Sequence, residues 1–286
     1  VTSWFLLTIF SVISRAIYGV MTKVLSNKLT VSVYTQSTLL PLSAAIITLL
    51  LSPFLGGITF NFSHVNLLYF ILMILSQGFG NIIYFSAIKH LTSATAQISF
   101  SSILFFNTIL SLLFLNLHLS FINVIGLFLL SFGILLAISG KVEFNKRGVI
   151  LMIFSAFLFS IFQLTSGVIS KQINAATYLF FAYIGSALTV FVFNIKPIIN
   201  DLKNITRDRS TLIIPFITAV PSLGNFFFAY FAYRLAPEPS KVAMLLTSQV
   251  VIAVLLSYIF LKETGHLFKK LAAATLVVVA SIMIKG

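Results

Sequence analysis

Apolar residues run through this chain in long stretches separated by short polar intervals, and the stretches are of similar length. They predict membrane-spanning helices near 3–25, 31–52, 65–88, 93–115, 121–139, 147–169, 176–195, 211–233, 239–261 and 267–285. A helix rises 1.5 Å per residue, so about 20 residues cross a hydrocarbon layer roughly 30 Å thick. Ser26-Asn27-Lys28, Pro53 with Gly56-Gly57, the segment from Lys141 to Arg147 and the segment from Asp201 to Ser210 mark turns between spans. The first stretch, from Trp4 to about Val24, is long enough to span and lacks a small-residue cleavage site, so it reads as a helix and not as a cleaved signal.

The polar positions inside the spans fall on helical faces. A polar side chain in hydrocarbon is costly, so its spacing shows which face avoids lipid. On the first helix Thr8, Ser11, Arg15, Tyr18 and Thr22 form one stripe at i, i+3, i+7, i+10 and i+14. The third helix places Gln77, Asn81 and Tyr84 together, with Gly78 and Gly80 permitting close approach. The fourth offers Gln97, Ser101 and Thr108; the sixth Ser160, Gln163 and Gly167; the eighth Thr218, Ser222 and Asn225; the ninth Ser248 and Gln249. Such side chains also serve as hydrogen-bonding glue between helices, and that reading stands beside the functional one. Pro41, Pro215 and Pro221 lie inside spans, where proline bends a helix; Pro221, four residues before Asn225, is a candidate hinge or gate. Gly126 and Gly133, and Ala272 to Ala274, read as close-packing surfaces that also suit contact with a second copy in a homodimer.

The two halves lie over one another. With residues 144 apart aligned, Phe10-Ser11 meets Phe154-Ser155, Val24 meets Val168, Tyr34 meets Tyr178 and Gly80-Asn81 meets Gly224-Asn225. One further residue of offset pairs Ala87 and Lys89 with Ala232 and Arg234, and another pairs Phe114-Leu115 with Phe260-Leu261. The reading is therefore residues 1–140 as one five-helix repeat and 145–286 as a second, in a single membrane domain. An odd number of spans per repeat inverts the second half, the arrangement by which many secondary transporters place a site at the midplane. The predicted fold class is an all-α integral membrane protein of ten helices, two inverted five-helix repeats around a central cavity.

Three segments carry a family resemblance: Ala87 through Ala96, Ala232 through Ser240, and Phe260-Leu261-Lys262-Glu263. They resemble EamA-type members of the drug/metabolite transporter superfamily. In those proteins a basic residue ends the third helix of each repeat, small residues open the fourth, and a Phe-Leu-Gly-Glu-like tetrad closes it. The likeness spans essentially the whole chain. It departs at Leu117, where the first repeat would carry an acid, and at Lys262, where the second would carry glycine. The resemblance implies a cavity lined by helices 1, 3, 4, 6, 8 and 9, and a multi-pass setting in a bacterial inner membrane.

Composition agrees with the pattern. Of 286 residues 59% are hydrophobic and 8% charged, with mean hydropathy +1.10, too few charges to coat a soluble fold. The net charge of +13 would suit nucleic acid, but the basic residues sit between the apolar runs, where they set topology and meet headgroups, so no nucleic-acid partner is expected. Cysteine is absent, and His64, His90, His118 and His266 fall in or beside loops, so neither thiol chemistry nor an intramembrane metal is expected and no cofactor is called for. Thirteen of the 18 basic residues lie in the odd-numbered loops; Lys171, Arg234, Lys241 and Lys285 lie in the even loops and at the C-terminus. The positive-inside rule then puts the odd loops in the cytoplasm, whereas the family resemblance implies cytoplasmic termini. The charge count is the preferred guide.

Arg15 is the most informative position. A mid-span arginine costs about 2.5–3.5 kcal/mol on insertion scales. All five acidic residues (Glu143, Asp201, Asp208, Glu238, Glu263) are placed by the apolar pattern in loops or at helix ends, and its repeat partner, Phe159, is apolar. Arg15 bonds backbone carbonyls and water, or pairs with Glu238 at the mouth of helix 9 as a gate, or faces the cavity and attracts an anionic group, for which its fork suits carboxylate or phosphate. The last reading is preferred. The missing midplane acid disfavours proton-coupled efflux of cationic drugs.

The expected activity is a facilitator or exchanger of a small zwitterionic or anionic metabolite such as an amino acid. The expected site contains Arg15, Ser11, Tyr18, Gln77, Asn81, Tyr84, Gln97, Ser101, Gln163, Ser222, Asn225 and Gln249, with Glu238 and Pro221 as gate candidates. Phosphorylated or nucleotide-linked cargo is the alternative within transport. A membrane-embedded enzyme would need paired carboxylates, a histidine cluster or a nucleophile with its base, and a scaffold would not need a polar stripe on six helices.

Overall fold

The computed structural model describes residues 3–60, 64–115, 120–138, 145–205, 210–236, 242 and 245–285. Among them every regular element is helical. The first half contains α1 (Ser3–Lys28), α2 (Val33–Leu51) with a 3-10 turn (Ser52–Leu55), α3 (Leu67–Ile88), α4 (Ser93–Phe100), α5 (Ile103–Leu115) and α6 (Phe121–Ile138). The second contains α7 (Lys146–Ile169), α8 (Ala175–Phe193), α9 (Ile195–Ile205), α10 (Ser210–Leu235), α11 (Gln249–Leu261) and α12 (Leu267–Lys285). Nine described stretches are long and apolar enough to cross a membrane, with α4 and α5 forming one of them. The shorter apolar helix Leu245–Leu261 occupies the expected ninth span, whose first residues lie outside the described set.

Helix starts follow from local chemistry. Ser32, Asn66, Thr92, Asn145 and Asn174 each accept the backbone N–H three residues on, at the N-termini of α2, α3, α4, α7 and α8. Each such cap is worth about 1 kcal/mol because it satisfies a donor the helix leaves unpaired. At its other end α11 stops on Lys262 with φ 55°, a left-handed backbone that favours glycine. That position is where the resembled motif carries glycine.

Two expectations need correction, and one expected span carries a local break. Ser26-Asn27-Lys28 is not a turn: α1 runs on to Lys28 because Ser26 is buried against the protein, and the chain reverses between Leu29 and Ser32. Residues 195–205 form a helix, α9, where the loop reading took in Asp201 onward. The fourth span is broken: Ser101 and Ser102 donate their backbone N–H to Ile98 and Ser99, three residues back, and Ser101 Oγ donates to the Gln97 carbonyl at 3.1 Å. Serine hydroxyls compete for backbone in this way. The same break recurs at Ser248, whose N–H and Oγ both donate to the Leu245 carbonyl. Ser102 and Ser248 are equivalent in the register that aligns Phe114-Leu115 with Phe260-Leu261.

Packing between halves repeats when the halves are exchanged. α1 lies along α10 as α3 lies along α7; α2 packs on α8 and α6 on α12; α3 touches α8 as α10 touches α2. The α3–α8 approach requires Gly78, where a Cβ would stand 2.7 Å from Thr189 Cβ. The expected small-residue surfaces are occupied within the chain: at Gly126 a Cβ would meet Ile284 and Met283 of α12, and at Gly133 the Ala273 carbonyl. Phe128, Phe132 and Phe260 are more than half exposed, as suits an outer surface solvated by lipid.

Candidate functional site

Where the halves meet, Arg15 and Tyr18 of α1, Leu40 and Pro41 of α2, Gln77, Asn81 and Tyr84 of α3, Phe159 of α7, Tyr183 of α8, and Ser222 and Phe226 of α10 line one cavity. It comprises about 390 Å³ of space between side chains, its open mouth included. Its enclosed part holds roughly one water molecule, so cargo of metabolite size requires the walls to part.

Arg15 is half-buried, and its guanidinium carbon lies 5.2 Å from the Tyr18 ring centroid and 5.3 Å from that of Phe100. Both distances are within cation–π range, worth about 0.5–2 kcal/mol depending on desolvation. Among the described residues no carboxylate pairs with it. Phe100 is in turn in edge contact with Tyr84 at 5.7 Å and Phe159 at 5.5 Å, so the cation sits in an aromatic setting. Contact with the two rings offsets part of the cost of a charge within an apolar span, and among the described residues its N–H donors meet no carboxylate.

Most other polar groups of the wall are committed to neighbouring helices. Asn81 Nδ2 donates to Ser186 Oγ at 3.1 Å, Tyr183 OH and Ser222 Oγ share a hydrogen bond of 3.1 Å, and Gln97 Nε2 donates to Tyr84 OH at 2.9 Å. Gln77 is the exception: its Oε1 is buried with no hydrogen-bond partner. An unsatisfied buried amide is expensive, and in a cavity wall it is a ready contact for a polar ligand.

The expected site residues divide accordingly. Arg15, Tyr18, Gln77, Asn81, Tyr84 and Ser222 come together in the cavity. Ser11 and Asn225 stand beside it, Ser11 Oγ donating to the Asn225 carbonyl at 2.8 Å. Gln97 and Ser101 stand one layer behind, Gln97 held on Tyr84 and Ser101 on Gln97. Gln163 is elsewhere: it is exposed and accepts from Asn107 Nδ2 at 2.7 Å. Gln249, at the start of α11, is half-buried with an unpartnered Oε1 and does not line the cavity. Pro221 lies in the continuous α10, one residue before Ser222. Glu238 lies outside the described residues. The wall therefore draws on spans 1, 2, 3, 6, 7 and 8, and spans 2 and 7 replace the expected 4 and 9. Phe159, not Gln163, represents the sixth span, because Gln163 satisfies its amide against α5. The lining residues missed from the sequence are Leu40, Pro41, Phe159, Tyr183 and Phe226, apolar or aromatic side chains that look like core; the intramembrane hydroxyl of Tyr183 was the one signal.

One face of the bundle is tightly closed. Every residue of α4 from Ser93 to Phe100 is buried, and Gly19 of α1 lies so close that a Cβ there would stand 2.6 Å from Gln97 Nε2. At that face the Glu263 carboxylate accepts the N–H of Ser93 at 2.7 Å and of Ala94 at 3.2 Å, capping α4 from the opposite repeat. Lys23 Nζ donates to the Ile88 carbonyl at 2.7 Å beside it. This is the face of the basic odd-numbered loops. At the other face packing is looser: Gln163 is exposed, a Cβ at Gly167 would meet nothing within 4 Å, and Asn225 through Phe231 are only half-buried. Among the described residues no group of three His, Asp or Glu side chains is placed to hold a metal.

Comparison with known proteins gives one family and one fold. The model of a family described as the EamA-like transporter family matches the chain twice, over residues 2–139 and 146–285. No curated protein sequence matches it. A solved structure described only as "Crystal structure of protein" matches with TM-score 0.61 and 17% identity, covering 99% of this chain and 97% of that one, a likeness of fold.

Proposed function

The chain belongs to the EamA-like transporter family, whose model matches nearly its whole length in two passes, and we propose that it carries a small carboxylate-bearing metabolite, an amino acid or close analogue, through the cavity around Arg15. It is a multi-pass membrane protein of a transporter family; the cargo, the alternating-access cycle and a bacterial inner-membrane setting belong to the proposal. One observation carries the cargo assignment: a guanidinium lines the cavity between the halves, held by two rings and by no carboxylate among the described residues. Its planar fork matches a carboxylate in two parallel hydrogen bonds. The unpartnered Gln77 Oε1 in the same wall supplies a second polar contact, suited to the amino group of a zwitterion.

A single cation favours a monoanion. A phosphate monoester carries close to two negative charges at neutral pH, and among the described residues Arg15 is the one basic side chain of the wall. Phosphorylated cargo is therefore the second reading. Tight packing at the basic face and looser packing opposite support a state closed on one side, and exchange of the two repeats supplies the alternate state by the logic of inverted pairs. The match to a transporter family supports movement of cargo.

The test is a thermal-shift screen of amino acids, organic acids and phosphorylated metabolites on the purified protein, followed by counterflow in proteoliposomes for any hit. A ligand of the folded state raises its stability. Stabilisation and counterflow by monocarboxylates support the reading; response to phosphate esters alone overturns it.

A further inference from the structure

The helix α9 meets the bundle along the edge that carries Ile198 and Asp201. Ile195, Ile198, Ile199 and Leu202 follow i, i+3, i+4 and i+7 and form an apolar stripe. Asp201 and Ile198 border the inner edge. Ile198 is buried, while the Asp201 carboxylate accepts the Ser32 N–H at 2.8 Å and the Thr35 hydroxyl at 2.6 Å, capping the first turn of α2. The rest of the stripe faces outward: Ile195, Ile199 and Leu202 are 44%, 41% and 38% exposed. Lys196 and Lys203, seven residues apart, flank the outer edge and are exposed. The outward face continues a lipid-facing surface, since Val192 and Phe193 at the end of α8 are 66% and 64% exposed.

The equivalent connection in the first repeat is built differently. There a short 3-10 turn and a neutral loop meet the start of α8, through Thr59 N–H to Thr177 Oγ1 at 2.9 Å and Asn174 Nδ2 to the Gly57 carbonyl at 3.0 Å. Neither of those contacts involves a charged group. Among the described residues of that connection there is no counterpart to the charged amphipathic helix.

An apolar stripe flanked by lysines, lying at the end of a spanning helix, has the chemistry of an interfacial helix. The lysine stems cover apolar surface while their ammonium groups reach the headgroups. We propose that α9 is a docking element for anionic phospholipid: its outer edge lies in the headgroup layer of the basic-face leaflet, and Lys196 and Lys203 hold the anionic headgroups. Because Asp201 joins the same helix to the start of α2, and α2 supplies Leu40 and Pro41 to the cavity, bound lipid braces one wall of the pathway. The proposal stands independently of the cargo.

The experiment measures thermal denaturation of the full chain in nanodiscs of phosphatidylcholine with increasing phosphatidylglycerol. Wild-type protein gains stability as phosphatidylglycerol rises, and Lys196→Gln/Lys203→Gln requires a higher anionic fraction for the same gain. One basic side chain near an anionic surface corresponds to about a five-fold change in apparent affinity. Lys171→Gln, at the opposite face, leaves the titration unchanged. Raising the salt shrinks the wild-type gain through screening. No gain in the wild type, an equal gain in the double variant, or the same gain from inorganic phosphate added to pure phosphatidylcholine discs overturns the proposal.

Discussion

Arg15 and Phe159, equivalent positions 144 residues apart in the two repeats, line the same cavity. Two-fold packing brings equivalent positions to one axis, so a residue near that axis meets its own counterpart. Here one is a cation and the other a ring, and the site is chemically asymmetric although its scaffold is paired. In the proposed reading, such asymmetry orients a cargo that has one charged end.

The first prediction concerns that cation. A hydrogen bond to a charged group contributes about 1.5–3 kcal/mol, so Arg15→Gln should weaken binding of a monocarboxylate roughly ten- to hundred-fold. Arg15→Lys should fall between, since it keeps the charge and loses the planar fork. Isothermal titration with the stabilising ligand measures both. Equal affinities in wild type and Arg15→Gln would remove Arg15 from the site.

The second concerns the cap across the repeats. Glu263 accepts two backbone N–H groups at the start of α4, and loss of a helix cap costs about 1 kcal/mol, near five-fold in an equilibrium. Leu117 stands at the matching position of the other repeat, so the sequence offers no equivalent acid there. Glu263→Gln should shift the protein away from closure at the basic face. The chain lacks cysteine, so Thr22→Cys, buried between the cavity and that face, is a clean reporter. Its labelling by a thiol reagent from the basic face should accelerate several-fold in the Glu263→Gln background. An unchanged rate would mean that the cap does not hold the closed state.

Much of this arrangement was legible in the chain, and the reasons for the rest are specific. The stripe from Thr8 to Thr22 was readable because helical period and membrane cost act together, and it delivered Arg15 and Tyr18. Gln163 was misplaced because a polar residue in a span satisfies itself on any polar neighbour, in this case Asn107. Leu40 and Phe226 were invisible because a cavity wall made of apolar and aromatic side chains has the composition of a core. The short α9 escaped because a polar-faced helix of 11 residues is too short and too polar to register as a span. The breaks at Ser101-Ser102 and Ser248 depend on competition for backbone hydrogen bonds, which an apolar pattern does not record.

The third prediction is a pH dependence. Burial raises the Asp201 carboxyl, but hydrogen bonds from Ser32 and Thr35 and the charge of Lys89 outweigh it, and its pKa lies below the ordinary 3.8. A depressed folded-state pKa stabilises the protein fully above the unfolded value, and the contribution disappears as pH falls through the folded value. Wild-type stability in detergent should therefore drop below about pH 4. Asp201→Asn should be less stable at neutral pH and should lose less on acidification. Parallel pH profiles would exclude Asp201 as a contributor.

The last prediction fixes the orientation. Thirteen basic residues lie in the odd-numbered connections or the helix ends beside them, against four at the even connections and C-terminus, and positively charged connections are retained in the cytoplasm. The basic face, with α9 and the Glu263 cap, should therefore be cytoplasmic. Lys203 on that face and Phe54 on the other are both exposed, so each accepts a single cysteine without disturbing the bundle. A membrane-impermeant maleimide should label Lys203→Cys in inside-out vesicles and Phe54→Cys in intact cells. The reverse pattern would place both chain ends in the cytoplasm, as the family likeness implies. It would also set α9 in the outer of the two leaflets, away from the anionic lipid of the cytoplasmic one. Orientation thus decides which leaflet the lysines of α9 meet and to which side the closed face of the pathway belongs.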